Sequence, residues 1–207
     1  MNGDITVIDI GIGNLASVLK ALKKAGGQPK LSRDPLEIAA ASKLILPGVG
    51  AFGPGSLALA NLGLIEPIRE AVLGKHVPIL GFCMGMQLFA TRGYENGDFP
   101  GLGLITAEVR QLEIEQCGVL PHMGWNNLES TEGVRLFDGL EPSPHFYFVH
   151  SFHMTDIDPR VSVSHCRYGT QSVTAAFQLG NIYGTQFHPE KSLANGIHVL
   201  KNFIQNA

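Results

Sequence analysis

Charge is scarce in this sequence: 16% of its 207 residues are Asp, Glu, Lys or Arg, and the formal balance is −3, well under the usual quarter. A protein that holds nucleic acid through its phosphates needs a basic surplus or a clustered basic stripe. Here the Lys23-Lys24 pair and Lys191 stand apart, so no nucleic-acid partner is expected. Cysteine is equally sparse. Cys83, Cys117 and Cys166 are an odd three with no CxxC pair, which supports neither a disulfide framework nor a zinc site. No apolar run reaches the roughly 18 residues that span a bilayer. The opening "MNGDITVIDIG" carries an early Asp4 in place of the basic head and apolar core of a signal peptide. These absences lead us to expect a soluble cytoplasmic protein that meets no membrane.

What is present is a globular profile. Hydrophobic residues make up 44% and glycine contributes 25 positions, and the length suits one domain over residues 1–207 with a substantial core. No repeat, low-complexity tract or linker divides it. Through the first half, short β-branched runs alternate with amphipathic segments. "ITVIDI" reads as a strand, and Leu15, Val18, Leu19 and Leu22 then repeat at helical spacing up to the glycines at 26 and 27. "KLIL" is a second strand, "LIEPIREAVL" a helix, "VPIL" a third strand, and a helical pattern begins near Met84. Such alternation predicts an α/β fold with a doubly wound, mostly parallel sheet covered on both faces. From about Leu104 the character changes to β-rich additions, "LITAEVRQLEI", "HFYFVHSFHM", "VSVSHCRY", "SVTAAFQLG" and "NIYGTQFH", with a turn at Leu179-Gly180-Asn181. A final helix carries Ile197, Leu200 and Ile204 on one stripe.

In doubly wound sheets, sites gather beyond the carboxyl ends of the strands. "GFCMG" places Cys83 at such an end in a G-x-C-x-G pattern, the thiol counterpart of the nucleophile elbow. Gly81 and Gly85 flank it because a sharp strand-to-helix turn leaves no room for a Cβ. The helix start favours thiolate. The competing reading of any lone cysteine is a small buried hydrophobe, and it is kept for Cys117 and Cys166. A base settles which applies at Cys83. Of eight histidines, His188 ends a strand in "YGTQFHPEKS", and Glu190 follows two residues later. Cys83, His188 and Glu190 supply the nucleophile, imidazole and orienting carboxylate of acyl transfer. By spacing alone, His188 reads rather as a turn residue before Pro189, with Glu190 in solvent. The glycine-rich "LPGVGAFGPG" after another strand can donate backbone N–H groups to an oxyanion. It lacks the Gly-Lys-Ser/Thr ending of a phosphate loop.

A rival signal is "GIGNLA" at 11–16, which matches G-x-G-x-x-A, with Asp34 about twenty residues on, the outline of a dinucleotide fingerprint and so of an oxidoreductase. Arg33-Asp34-Pro35 looks more like a turn than a strand end, and little chain remains for a substrate domain.

Taken together, "GFCMGMQL", "PGVGAFG" and "GTQFHPEKS" resemble the three active-site segments of the class I (triad) glutamine amidotransferases, a flavodoxin-like fold. "LPHMGWN", "HFYFVHSF" and "GIGNLASV" resemble, within that class, the glutaminase subunits of imidazole glycerol phosphate synthase. The likeness runs from Ile8 to Phe203. Phe82 and Met84 stand where the family more often has Ile and Leu, and Thr185 where Val is usual; none touches the chemistry. The resemblance implies that Cys83, His188 and Glu190 hydrolyse the side-chain amide of glutamine through a thioester. It assigns Met84 and the Gly48-Val49-Gly50 loop to the oxyanion, and Gln87, Glu95 and Ser151 to the glutamine substrate. It implies no cofactor or metal, and a 1:1 partner, the (β/α)8 cyclase subunit HisF, faced by Asn14, Trp125 and Lys191. That partner consumes the ammonia to form imidazole glycerol phosphate and AICAR in histidine biosynthesis. A paralogous glutaminase feeding another synthase is the neighbouring possibility.

Overall fold

The computed structural model describes residues 4–207; Met1–Gly3, the head of the segment read above for targeting, and the side chain of Cys117 lie outside the described residues. Four strands of the first half, β1 (Asp4–Ile8), β2 (Gln28–Ser32), β3 (Leu44–Gly48) and β4 (Ile79–Cys83), run parallel. Between them lie α1 (Leu15–Lys24), α2 (Pro35–Ala39), α3 (Phe52–Asn61) and α4 (Ile65–Arg69), the last continuing into a π-helical turn at Glu70–Gly74. A single turn, α5 (Met84–Gln87), follows β4.

The later chain adds β5 (Arg92–Gly93), β6 (Phe99–Pro100), β7 (Glu108–Gln111), the turn α6 (Ile114–Cys117), β8 (His122–Asn127), β9 (His145–His150) and β10 (Phe152–Thr155). It closes with β11 (Ser162–Tyr168), β12 (Gln171–Leu179), β13 (Ile182–Thr185) and α7 (Leu193–Asn206). The main sheet has the order β11-β12-β13-β4-β3-β1-β2. β13 enters parallel to β4, while β11 and β12 are antiparallel additions. β10, β7, β5 and β6 form a second sheet, and β8 and β9 a two-stranded ladder.

The main sheet is mostly parallel because its central strands are apolar on both faces. Every residue of β3 and β4 is buried, the mark of strands covered by helices above and below. Alternation then divides them. Ile5, Val7, Ile45, Leu80 and Phe82 pack with Val18 and Leu22 of α1 and Val199, Leu200 and Phe203 of α7. Ile8, Leu44, Leu46 and Ile79 pack on the other side with Ile38, Leu59, Ile68 and Val72. The expected last hairpin is present: Gly180, at φ +56°, lies between β12 and β13, a left-handed position that a two-residue turn requires.

Three elements differ from expectation. β2, "QPKLS", is an edge strand mostly in solvent, where Pro29 costs no ladder bond. The glycine-rich segment read as a loop becomes α3 from Phe52 onward. The helix expected after Cys83 is only one turn long, so its dipole is far weaker than a full helix would supply. Among the described residues, no helix is long and apolar enough to cross a membrane.

Candidate active site

β4 ends at Cys83, and the chain turns at that residue into α5. Its φ of +49° and ψ of −113° form a combination that L residues avoid at a cost of about 1–3 kcal/mol. Packing on either side holds it there. A Cβ on Gly81 would fall 2.6 Å from the amide nitrogen of Met86, and one on Gly85 1.9 Å from the carbonyl oxygen of Leu46. Both flanking glycines are therefore demanded by close backbone approach, as the elbow pattern predicts.

The sheet register brings the other pieces alongside. Gly48 of β3 lies opposite Cys83, and Thr185 of β13 opposite Phe82. The segments leaving β3 and β13 thus emerge on either side of the thiol. His188 is fixed by its own N–H, which donates to the Tyr147 carbonyl at 3.0 Å. Its Nδ1 lies 2.9 Å from Oε1 of Glu190, with the two side chains only 2% and 4% exposed. A carboxylate only accepts, so Nδ1 carries a proton in either charge state of the ring, and Nε2 is the position that takes or gives the second proton.

That Nε2 is buried with no hydrogen-bond partner among the described residues, and Oε2 of Glu190 is equally unpartnered. Burial pushes the His188 imidazole down, but the adjoining Cys83 sulfur and the Glu190 carboxylate more than offset this, raising it to about 9. The thiol and imidazole are neighbours without a formed hydrogen bond. Instead, Sγ of Cys83 donates to the Val149 carbonyl at 3.8 Å and accepts from Nε2 of Gln186 at 3.6 Å. Loose alignment of this kind is common before substrate arrives.

Cys83 and His188 open onto a cleft of about 230 Å³, small beside the roughly 300–1,000 Å³ of sites for drug-sized ligands. Val49 and Gly50 form one wall, and residues 149–152 the opposite one, bringing Ser151 to it. Gln87, Glu95 and Lys191 complete the lining. Oε2 of Glu95 accepts from the Phe52 N–H at 2.8 Å, capping α3, whose own N-cap, Ala51, has no side chain to do so. Both N–H groups of Gln87 are taken, by the Phe152 carbonyl at 2.8 Å and by Oε1 of Gln186 at 3.0 Å. It therefore faces the cleft as an acceptor.

The remaining expected site residues are placed differently. Gly48 and Met84 do not line the cleft. Gly48 lies beneath it against Met84 and Gly85, and Met84 buries its side chain while its N–H heads the first turn of α5. Asn14 is exposed at the head of α1, where it accepts from the Ser17 N–H at 3.3 Å. Trp125 is 48% exposed, which excludes the core role open to a lone tryptophan. It meets Tyr147 edge-on at 6.0 Å, and the Lys191 ammonium lies 5.8 Å from the centroid of the same ring. Asp34 caps α2 through the Leu36 N–H at 2.8 Å, so the dinucleotide outline loses the carboxylate it needs. Cys166 is fully buried, and burial pushes its thiol up to about 12: an inert packing residue. Among the described residues, no cluster of His, Cys, Asp or Glu is arranged to hold a metal ion.

Sequence reasoning missed Gln186, which touches the nucleophile, and a histidine pair of which His150 lines the cleft. The Phe152 carbonyl can only accept, so Nδ1–H of His150 donates to it at 2.9 Å. Nδ1–H of His122 then donates to Nε2 of His150 at 2.9 Å, and Asn126 donates to Nε2 of His122 at 3.0 Å. Burial pushes His150 down to about 3, helped by His122, and His122 down to about 4. Both rings are neutral at pH 7 with their tautomers fixed. The one available signal was two histidines in adjacent strand-like segments.

The described geometry can be set beside known proteins. The family model "Glutamine amidotransferase class-I" matches residues 6–207. "Imidazole glycerol phosphate synthase subunit HisH 1" of Campylobacter jejuni is 46% identical over 201 residues, covering 97% of this chain and 99% of that one. "Imidazole glycerol phosphate synthase subunit HisH" of Nostoc punctiforme is 44% identical, covering 97% and 94%. A solved structure described as a glutamine amidotransferase superposes with a TM-score of 0.76 at 22% identity, covering 96% of both chains, a likeness of fold.

Proposed function

Because the chain belongs to the class I glutamine amidotransferases and, among them, to the HisH subunits of imidazole glycerol phosphate synthase, we propose that residues 1–207 act as one glutaminase domain that supplies ammonia to a cyclase subunit. The observation that carries the reading is that Cys83 and His188, at the ends of two adjacent strands, open onto one small cleft, with Glu190 paired to Nδ1 of His188 behind it.

In this reading, the Cys83 proton passes to Nε2 of His188, and the sulfur attacks the side-chain amide carbon of glutamine. The developing oxyanion is taken by the Met84 N–H and the Gly48-Val49-Gly50 backbone, with Gly50 at φ +90°, a conformation open to glycine. His188 returns the proton to the leaving nitrogen. Ammonia departs, and a γ-glutamyl thioester remains. Water, deprotonated by His188, hydrolyses it to glutamate and restores the thiol. Glu190 holds the imidazole through Nδ1 and stabilises its charged form. Gln87 offers an acceptor to the substrate, Glu95 a carboxylate for its ammonium, and Ser151 a hydroxyl.

Ammonia free in neutral water takes a proton and stops being a nucleophile, so release must occur against the acceptor subunit. Trp125, with Met123 also exposed on β8, Lys191 at the cleft and Asn14 on α1 form our proposed docking face for the HisF-type (β/α)8 cyclase. An exposed aromatic with one N–H donor suits an interface anchor. We place the reaction in the cytoplasm, where thiols stay reduced.

The test is glutamate release from glutamine by the chain alone, and with a HisF-type cyclase plus its nucleotide substrate, with Cys83→Ala as control. Activity that appears mainly with the liganded cyclase and vanishes in the variant is expected. Activity that persists in Cys83→Ala would overturn the chemistry. Cyclase-independent activity that still needs Cys83 would overturn the partner.

A further inference from the structure

Gln186 is completely buried beside the nucleophile, and its orientation follows by elimination. The Phe152 carbonyl has no proton to give, so Gln87 must present an N–H to it. The second N–H of Gln87 points at the Gln186 side chain, so the Gln186 atom there must be its carbonyl oxygen. That leaves the Gln186 amide nitrogen on the other side, 3.6 Å from Sγ of Cys83. The main chain is held as well, by its N–H donating to the Ala175 carbonyl at 2.8 Å. A flip of the side-chain amide would set its nitrogen against the Gln87 N–H and is not open to it.

We infer that Gln186 is a further catalytic residue: its side-chain amide donates to the Cys83 sulfur and stabilises the thiolate that attacks. This deepens the reading above and rests on Cys83 being the nucleophile. A neutral thiol accepts weakly, whereas a thiolate is a charged acceptor and strengthens the bond. When the proton leaves Sγ for Nε2 of His188, the Val149 carbonyl loses its donor and presents only lone pairs to the new charge. Gln186 then supplies the matching N–H. With α5 only one turn long, this donor takes over much of what a longer helix dipole would do.

Magnitudes set the expected effect. A thiolate favoured tenfold is intrinsically less nucleophilic by roughly 10^0.5, so the net gain in attack below neutral pH is about threefold. The same stabilisation helps the sulfur leave when the thioester is hydrolysed. The titratable groups around the thiol are His188 backed by Glu190, the neutral His150, and Glu95 and Lys191 across the cleft.

The experiment is the rate of Cys83 alkylation by iodoacetamide from pH 5 to 9, with the same measurement on Cys83→Ala subtracted for the other thiols. Gln186→Met removes the donor at similar volume, and Gln186→Asn withdraws it by one methylene, so one variant can be read if the other does not fold. Unfolding midpoints establish which is folded. The expected result is a profile whose midpoint is displaced upward by about one pH unit, with a roughly threefold slower reaction near pH 6 and an alkaline plateau roughly threefold higher. Superimposable profiles in a folded variant would overturn the inference. Alkylation needs no glutamine, so that failure is distinct from failure of the glutaminase reading, which shows as glutamate release by Cys83→Ala.

Discussion

Nδ1 of His188 stands 2.9 Å from Oε1 of Glu190, two residues further along the chain, with both side chains almost wholly out of solvent. Pro189 and the short 3-10 turn it opens fold the carboxylate back under the ring. Glu190→Ala is expected to lower kcat about 10- to 100-fold with little change in KM, and His188→Asn about 10²- to 10⁴-fold, the range of general acid–base catalysis. Steady-state glutamate release with the cyclase present checks both. A rise in KM alone would assign the pair to substrate binding.

Gly85 has no space for a side chain: its neighbour is the Leu46 carbonyl at 1.9 Å from a Cβ, backbone that cannot move aside. Gly85→Ala is expected to cost about 2–3 kcal/mol, as overpacking does, read as a lower urea midpoint. Activity should fall further than stability, because the displaced backbone carries Cys83.

Stability should be greatest near neutral pH. Burial holds His122 near 4, His150 near 3 and, with His165 opposing its charge, His153 near 4. The unfolded chain takes up those protons below about 6.5. Their stabilisation is therefore complete above that pH and is lost as pH falls toward 4. His188 behaves oppositely: raised to about 9, its contribution is complete below about 6.5 and is lost as pH rises through 9. Urea midpoints at pH 5, 7 and 9.5 should trace a dome. A flat acid side would contradict the neutral-histidine account, and His150→Gln should soften that side.

Trp125 is half in solvent and meets the rings of His145 and Tyr147 edge-on. Trp125→Ala is expected to weaken cyclase binding by about 2 kcal/mol or more, as interface anchors do, while the melting temperature changes little. Equal losses in a binding titration and a melt would make it a folding residue.

Much of this was readable in residue order. The strands β1, β3 and β4 announce themselves as continuous apolar runs, and Gly81 and Gly85 mark the elbow because only a crowded turn needs glycine on both sides of a cysteine. His188 and Glu190 were legible as chemical types, but their burial was not, since spacing cannot distinguish a solvated turn from one folded inward. α3 was hidden because Gly53, Pro54 and Gly55 read as loop. Proline is tolerated in a first helical turn, and both glycines admit the close approach of Phe99 and of Met84, so tertiary packing overrode propensity. Gln186 was invisible for a related reason: a polar residue at a strand end looks solvent-facing until β12 and β4 are known to enclose it.

The most direct test of the central claim is mass spectrometry of the chain, quenched in acid within milliseconds of mixing with glutamine in the presence of the liganded cyclase. The account predicts a transient gain of one γ-glutamyl group, mapped by peptide digestion to Cys83 and lost on longer incubation. Turnover of glutamine with no adduct on Cys83 in that window, and undiminished turnover in Cys83→Ala, would contradict it.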